Sequence, residues 1–221
     1  VASFFAGFAG SLPMFAEGGQ QFADNVQRFY ERARDESLYL SYTIIHPTVD
    51  RTKPPHQQYV PNLYVSVLAE QDDGIVLQGA QMLGTGSVMS DYILVSCILP
   101  LPEGAEDYAF SVVVPANAPG LRIYSRRSYA DARLSNVDHP LAGRFDETDS
   151  LVVFEKVFVP WEHVFTYRNL ATTSGQFQRT AAHSLGNTQA QIRFATKLAF
   201  FAGLGRRLYE GSGVVNDPKN K

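Results

Sequence analysis

The sequence predicts an α+β protein in which helices lead into a middle β domain and a long helix follows. Three observations carry this. Residues 20–37 show a three- and four-residue apolar period, runs rich in Val, Ile, Phe and Tyr recur between 63 and 158, and residues 176–209 hold almost no breaker.

In the first helix Phe22, Val26, Phe29, Tyr30 and Ala33 share a face, with Asp24, Arg28, Glu31, Arg32 and Arg34 between them and Gly18-Gly19 at the start. Residues 38–45 are apolar and rich in Tyr, Thr and Ile, and Pro47 drives His46 toward an extended conformation. Strands are expected over 63–70 and 75–82, joined by a hairpin turn at Asp72-Asp73-Gly74, then over 92–99, 108–114, 121–124 and 151–158. Six strands with short loops suit a small antiparallel β-barrel or a sandwich. In the long helix Ile192, Ala195, Thr196, Ala199, Phe200 and Gly203 make a stripe that needs helical partners, as in a bundle. The expected division is 1–46 as the end of an N-terminal helical domain, 47–165 as the middle β domain, and 174–221 as the first helix of a C-terminal bundle. The apolar opening VASFFAGFAGSLPMF and the polar residues 216–221 suggest that such partners flank the chain on both sides.

The chain has 221 residues, 45% hydrophobic, and a net charge of -3 with no Lys/Arg run, so neither nucleic acid nor an anionic membrane is an expected partner. Residues 1–15 are too short and Gly-rich to span a bilayer and lack a basic leader. Cys97 is alone, which fits a reducing, cytoplasmic setting.

Histidines 46, 56, 139, 163 and 183 are scattered without metal-ligand spacing, so no metal site is expected. There is no GxxxxGK[ST], no GxSxG, and no GxGxxG leading into a helix. Gly84, Thr85, Gly86 and Ser87 instead connect two strands; their small donors could meet the edge of a flavin ring, or form a plain β-turn. Cys97 reads as a buried, inert thiol among Val95, Ile98 and Leu99. His46 can donate to, or take a proton from, a phenolic oxygen, or it can cap local backbone. Asp50 and Arg51 read as an ion pair fixing the loop. His139 lies in a polar loop, His163 reads as a surface or interface residue, and His183, Asn187 and Gln189 form a polar set on an apolar helix. Phe154, Phe158, Trp161 and Phe165 are expected in the core. The loop 101–107 is a candidate for reading a substrate's tail; Glu103, Glu106 and Asp107 on it leave a carboxylate tail without a cation.

Three stretches carry a resemblance: SYTIIHPTVDR from Ser41, GAQMLGTGSVMSD from Gly79, and the run from DHPL at Asp138 through RFDETD at Arg144 to VVFEKVFVPWE at Val152. In this order the chain resembles the oxygenase component of the 4-hydroxyphenylacetate 3-hydroxylase family, with its phenol and chlorophenol monooxygenase relatives. The resemblance implies an acyl-CoA dehydrogenase-like fold and a homotetramer. It further implies FADH2 (FAD) from a separate NAD(P)H-flavin reductase, O2 as co-substrate, and ortho hydroxylation of a phenol through a flavin C4a-hydroperoxide. His46 matches the family's histidine on the phenol oxygen, and the Gly84, Thr85, Gly86, Ser87 loop matches its flavin-facing loop. The family's Arg and Tyr contacts in an RxPDY-like motif would precede Val1. Chlorophenol members place a catalytic His on the later helix, where this sequence reads Asn187, Thr188 and Gln189. A relative that holds an iron–sulfur cluster through three Cys and a His is excluded by the single cysteine. The alternatives are an acyl-CoA dehydrogenase-like flavin oxidase, which would need a Glu base, and a non-catalytic β domain serving assembly or ligand binding.

Overall fold

The computed structural model describes residues 2–130, 135, 137–146 and 148–213; the polar residues 216–221, and Glu147 of the RFDETD stretch, lie outside them. The apolar opening folds as α1 (Ala2–Ala9) and α2 (Leu12–Ala16), with Pro13 in the first turn of α2, where its missing N–H costs no bond. In α3 (Gln20–Asp35) Phe22, Val26, Phe29 and Ala33 are buried, as the periodicity requires. Phe5, Phe8 and Phe15 interlock with Phe29, Phe165 and Phe177 in one aromatic core.

Among the described residues the strands form two four-stranded sheets and not a closed barrel. One has the order β1 (Leu40–Thr43), β4 (Tyr92–Val95), β5 (Phe110–Pro115), β8 (Val164–Tyr167). There β1 runs parallel to β4, and the other pairs are antiparallel. The second has the order β2 (Ser66–Gln71), β3 (Gly74–Gln81), β7 (Ser150–Pro160), β6 (Leu121–Ser125), all antiparallel. Ile93, Val112 and Val114 of the first sheet pack against Leu77, Val152 and Phe154 of the second, while Val113 faces the aromatic core. The sandwich expectation therefore holds and the barrel does not: each sheet keeps two edge strands. Among the described residues a lone bridge, Ile45 to Met82, ties the end of β1 to the end of β3. The parallel pair departs from an all-antiparallel domain because β1 is entered from α3 and not from a hairpin.

The hairpin is as expected, with Gln71 paired to Gly74 across a two-residue turn. Two elements were not anticipated, β8 and α4 (Leu170–Gly175); α4 is capped by Asn169, whose side chain accepts from the Thr172 N–H at 3.0 Å. The long helix α5 (Ala182–Gly211) starts later than 176. It crosses α1 at a glycine contact: a Cβ on Gly7 would lie 2.3 Å from the Ala182 nitrogen. Farther along, Ile192, Phe194, Phe200, Phe201 and Leu208 are exposed. Phe154 and Phe165 are core residues, whereas Phe158 is exposed and Trp161 half-buried against Tyr167. No helix among the described residues is long and apolar enough to cross a membrane.

Candidate active site

His46 is placed by strand pairing. The Met82 N–H donates to the Ile45 carbonyl at 2.9 Å, and Thr43 Oγ1 donates to the Met82 carbonyl at 3.0 Å. This register sets His46 beside Gln81, the last residue of β3. His46 Nδ1 lies 2.9 Å from Gln81 Oε1, and Gln81 Nε2 donates to the Ser96 carbonyl at 2.6 Å. The imidazole stacks on Tyr64, with centroids 4.6 Å apart and planes 6° apart, and meets Tyr108 edge-on at 6.4 Å. Tyr64 is held against Ala80 of β3, an approach that Gly79 permits. Gly79 has φ +119°, and a Cβ there would sit 2.3 Å from the Tyr64 carbonyl oxygen.

Nε2 of His46 is buried and has no partner. Burial pushes the His46 pKa below the ordinary histidine value, and the hydrogen bond to Gln81 offsets part of that. The ring is therefore neutral at pH 7. It lines a hollow of about 450 Å³ together with Arg51, Lys53, Tyr64, Leu99 and Leu101.

Asp50 and Arg51 do not form the expected ion pair. Asp50 accepts from the N–H and hydroxyl of Thr52 and lies 3.8 Å from Lys53, while Arg51 reaches Thr48 Oγ1 at 3.2 Å. A local turn satisfies the carboxylate and leaves the guanidinium to the hollow. The loop 101–107 contributes Leu101 and Pro102 there, while Asp107 pairs with Arg168 at 2.7 Å. Arg51 and Lys53 are thus cations that the sequence reading had not assigned to the tail region. Only their position near His46 in space reveals them.

Gly84, Thr85, Gly86 and Ser87 link β3 to β4, and their N–H groups are already taken. They donate to the carbonyls of Ser150, Leu83, Thr148 and Gly84 at 3.0, 2.9, 3.0 and 3.2 Å, so the open donors expected of this loop are not available. Thr85 Oγ1 donates to Asp149, and the Ser87 hydroxyl is buried without a partner. The loop thus leans on residues 148–150. Nearby, Arg126 bonds Asp146 at 2.6 Å and holds its carboxyl down to about 2. The sequence marked RFDETD only through resemblance; its Thr148 and Asp149 brace the Thr85 loop.

Thr85 lines a second hollow of about 710 Å³ with Tyr39, Tyr42, Asn187, Gln189 and Lys197. Its size is that of a cofactor site, and its hydroxyls, amides and cation match the polar edge and phosphates of a flavin nucleotide, so the residues present fit that group. His46 and Thr85 line different hollows, which share no lining residue.

Of the other histidines, His163 is half-buried. Its ring packs against Phe29 and Tyr92, and its Nδ1 is buried without a partner. His139 stacks on Tyr129, and His183 bonds Asn187 at 3.0 Å. Cys97 lies just past β4, buried, with its thiol pushed up to about 11 by burial, consistent with an inert side chain. Among the described residues no group of three His, Cys, Asp or Glu could hold a metal.

Comparison with known proteins follows the same lines. The 4-hydroxyphenylacetate 3-monooxygenase oxygenase component of Geobacillus sp. (strain PA-9) is 35% identical over 91% of the chain. A (3S)-3-amino-3-(3-chloro-4-hydroxyphenyl)propanoyl-[peptidyl-carrier protein] monooxygenase of Streptomyces globisporus is 36% identical over 95%. The chain spans 41% and 40% of the lengths of these two relatives. The crystal structure of an oxygenase component of 4-hydroxyphenylacetate 3-monooxygenase, complexed with FAD and 4-hydroxyphenylacetate, superposes with a TM-score of 0.85 at 32% identity, covering 96% of this chain and 44% of that one. A steroid acyl-CoA dehydrogenase variant shares the fold alone, with a TM-score of 0.58 at 11% identity over 97% of this chain and 49% of that one. Residues 1–166 match the family described as 4-hydroxyphenylacetate 3-hydroxylase N terminal, and the chain belongs to that family.

Proposed function

We propose that the whole protein is the oxygenase component of a two-component flavin-dependent monooxygenase that hydroxylates a phenol ortho to its hydroxyl. The observation that carries this is His46 Nε2, buried and unpartnered on a neutral ring that lines a hollow large enough for one substituted benzene ring. A buried polar atom left unpaired costs about 1–3 kcal/mol, and a phenolic O–H would satisfy it. Holding or taking that proton at Nε2 raises electron density at the ortho carbon, while Leu99 and Leu101 give the hollow an apolar wall for the ring. Arg51 and Lys53 offer positive charge to a substrate tail, partly offset by Asp50. Reduced flavin, when bound, supplies the electrons that activate O2. Tyr39, Tyr42, Thr85, Asn187 and Gln189 would hold it. The FAD and 4-hydroxyphenylacetate bound in the similar crystal structure support this reading. By the same reading a separate NAD(P)H-flavin reductase delivers FADH2, and the subunits assemble as a homotetramer.

The test mixes the full-length protein with FADH2, O2 and a panel of phenols that includes 4-hydroxyphenylacetate. Catechol formation is expected, and His46→Ala should lose it at least about a hundredfold while still binding flavin. Flavin oxidation that yields only H2O2 with every phenol would overturn the proposal.

A further inference from the structure

We infer that Gln81 is a positioning residue that fixes His46 as the Nδ1–H tautomer, so that Nε2 can accept from a phenol hydroxyl but cannot donate to it. The Ser96 carbonyl can only accept, so the group 2.6 Å away on Gln81 must be the amide nitrogen. The opposite orientation would press two acceptor oxygens together at that distance. The amide oxygen therefore faces His46 Nδ1 at 2.9 Å, and because that oxygen can only accept, Nδ1 carries the proton.

The orientation is locked from behind. Gln81 and Ser96 are buried, and the Ser96 hydroxyl donates to the Phe110 carbonyl at 3.0 Å. Gln176 Nε2 donates to that hydroxyl at 2.8 Å and to the Thr173 carbonyl of α4 at 2.8 Å. A polar chain thus runs from the turn after α4, through both sheets, to the imidazole. The Tyr64 stack restricts the ring from its face. What is left is one lone pair on Nε2, sealed from water and without a donor. A neutral hydroxyl that can release its proton completes the set, whereas a group that needs a donor from histidine does not.

The inference deepens the hydroxylase reading and rests on it for the identity of the hydroxyl; the tautomer stands on geometry alone. The experiment records nitrogen-15 spectra of imidazole-labelled full chain in the solid state, with His46→Asn identifying the resonances that belong to His46. A protonated Nδ1 and a bare Nε2 are expected. Gln81→Met keeps the length of the side chain but cannot accept, and should give a mixture of tautomers. Gln81→Glu, protonated toward Ser96, should restore the Nδ1–H form and serves as the folded control should Gln81→Met not fold. With 4-hydroxyphenylacetate as probe, catechol formed per flavin oxidised should fall about tenfold or more in Gln81→Met and recover in Gln81→Glu, with flavin affinity within about twofold in both. A proton on Nε2 in the unsubstituted chain, or an unchanged pure Nδ1–H form in Gln81→Met, overturns the inference. If the tautomers behave as stated but no phenol is hydroxylated, the assignment stands and the hydroxylase reading fails.

Discussion

The imidazole of His46 meets a ring on its face and an amide at one nitrogen, while the other nitrogen is buried without a partner, and burial and the amide contact both affect how it titrates. Burial, the larger influence, lowers its pKa, so the neutral form persists at pH values where an exposed histidine is already charged. For a lowered pKa the neutral ring, and whatever stability depends on it, is fully present above about 6.5 and is lost as pH falls through the lowered value. The groups around it move away from neutrality: Tyr64 and Tyr108 are raised by burial, and Asp50 is lowered by its bonds to Thr52. Arg51 and Lys53 complete the charged rim of the hollow. The acid limb of kcat/KM for a phenol should therefore lie below about pH 6.5, which a pH profile of catechol formation checks. An acid limb above pH 7 would mean that His46 is not the titrating group. Pro47 made His46 conspicuous in the sequence. Gln81 was not, because it reads as one more alternating strand position, and its partners arrive from residues 46 and 96 only when the sheets close.

Strand β3 organises the site, since residues 79–82 hold Tyr64, His46 and the approach to the Thr85 loop. Gly79→Ala would drive a Cβ into the Tyr64 backbone at a φ that L residues avoid. It should cost roughly 1–3 kcal/mol or more, read as a lower urea midpoint, and raise KM for the phenol as the Tyr64 stack shifts. Elements with a strong local pattern were readable in advance: α3 from its period, and the β2–β3 hairpin from Asp-Asp-Gly. The short β8 and α4 were not, since four and six residues carry too little periodicity to stand out. Nor was the parallel β1–β4 pairing, which depends on contacts between distant segments. The bracing of the Thr85 loop by residues 148–150 was hidden for the same reason.

At the scale of the whole molecule the chain is well packed at one end and open at the other. Its helices and sheets share continuous cores, yet α5 presents Ile192, Phe194, Phe200, Phe201 and Leu208 to solvent. A surface of this kind favours association, at roughly 25 cal/mol for each Å² covered. The 221-residue chain alone should therefore self-associate with rising concentration in sedimentation velocity, and a Phe200→Lys, Phe201→Lys double variant should remain monomeric. A monomeric unsubstituted chain at every concentration would contradict this. The parallel pairing of β1 with β4 bears on the order of events in folding. The β2–β3 hairpin closes over two residues, whereas Leu40 can meet Tyr92 only after the intervening chain has looped back. His46 follows directly on β1, so its contact with Gln81 is among the last to be made, and a slow phase in refolding should report the stacking of Tyr64 after most secondary structure is in place.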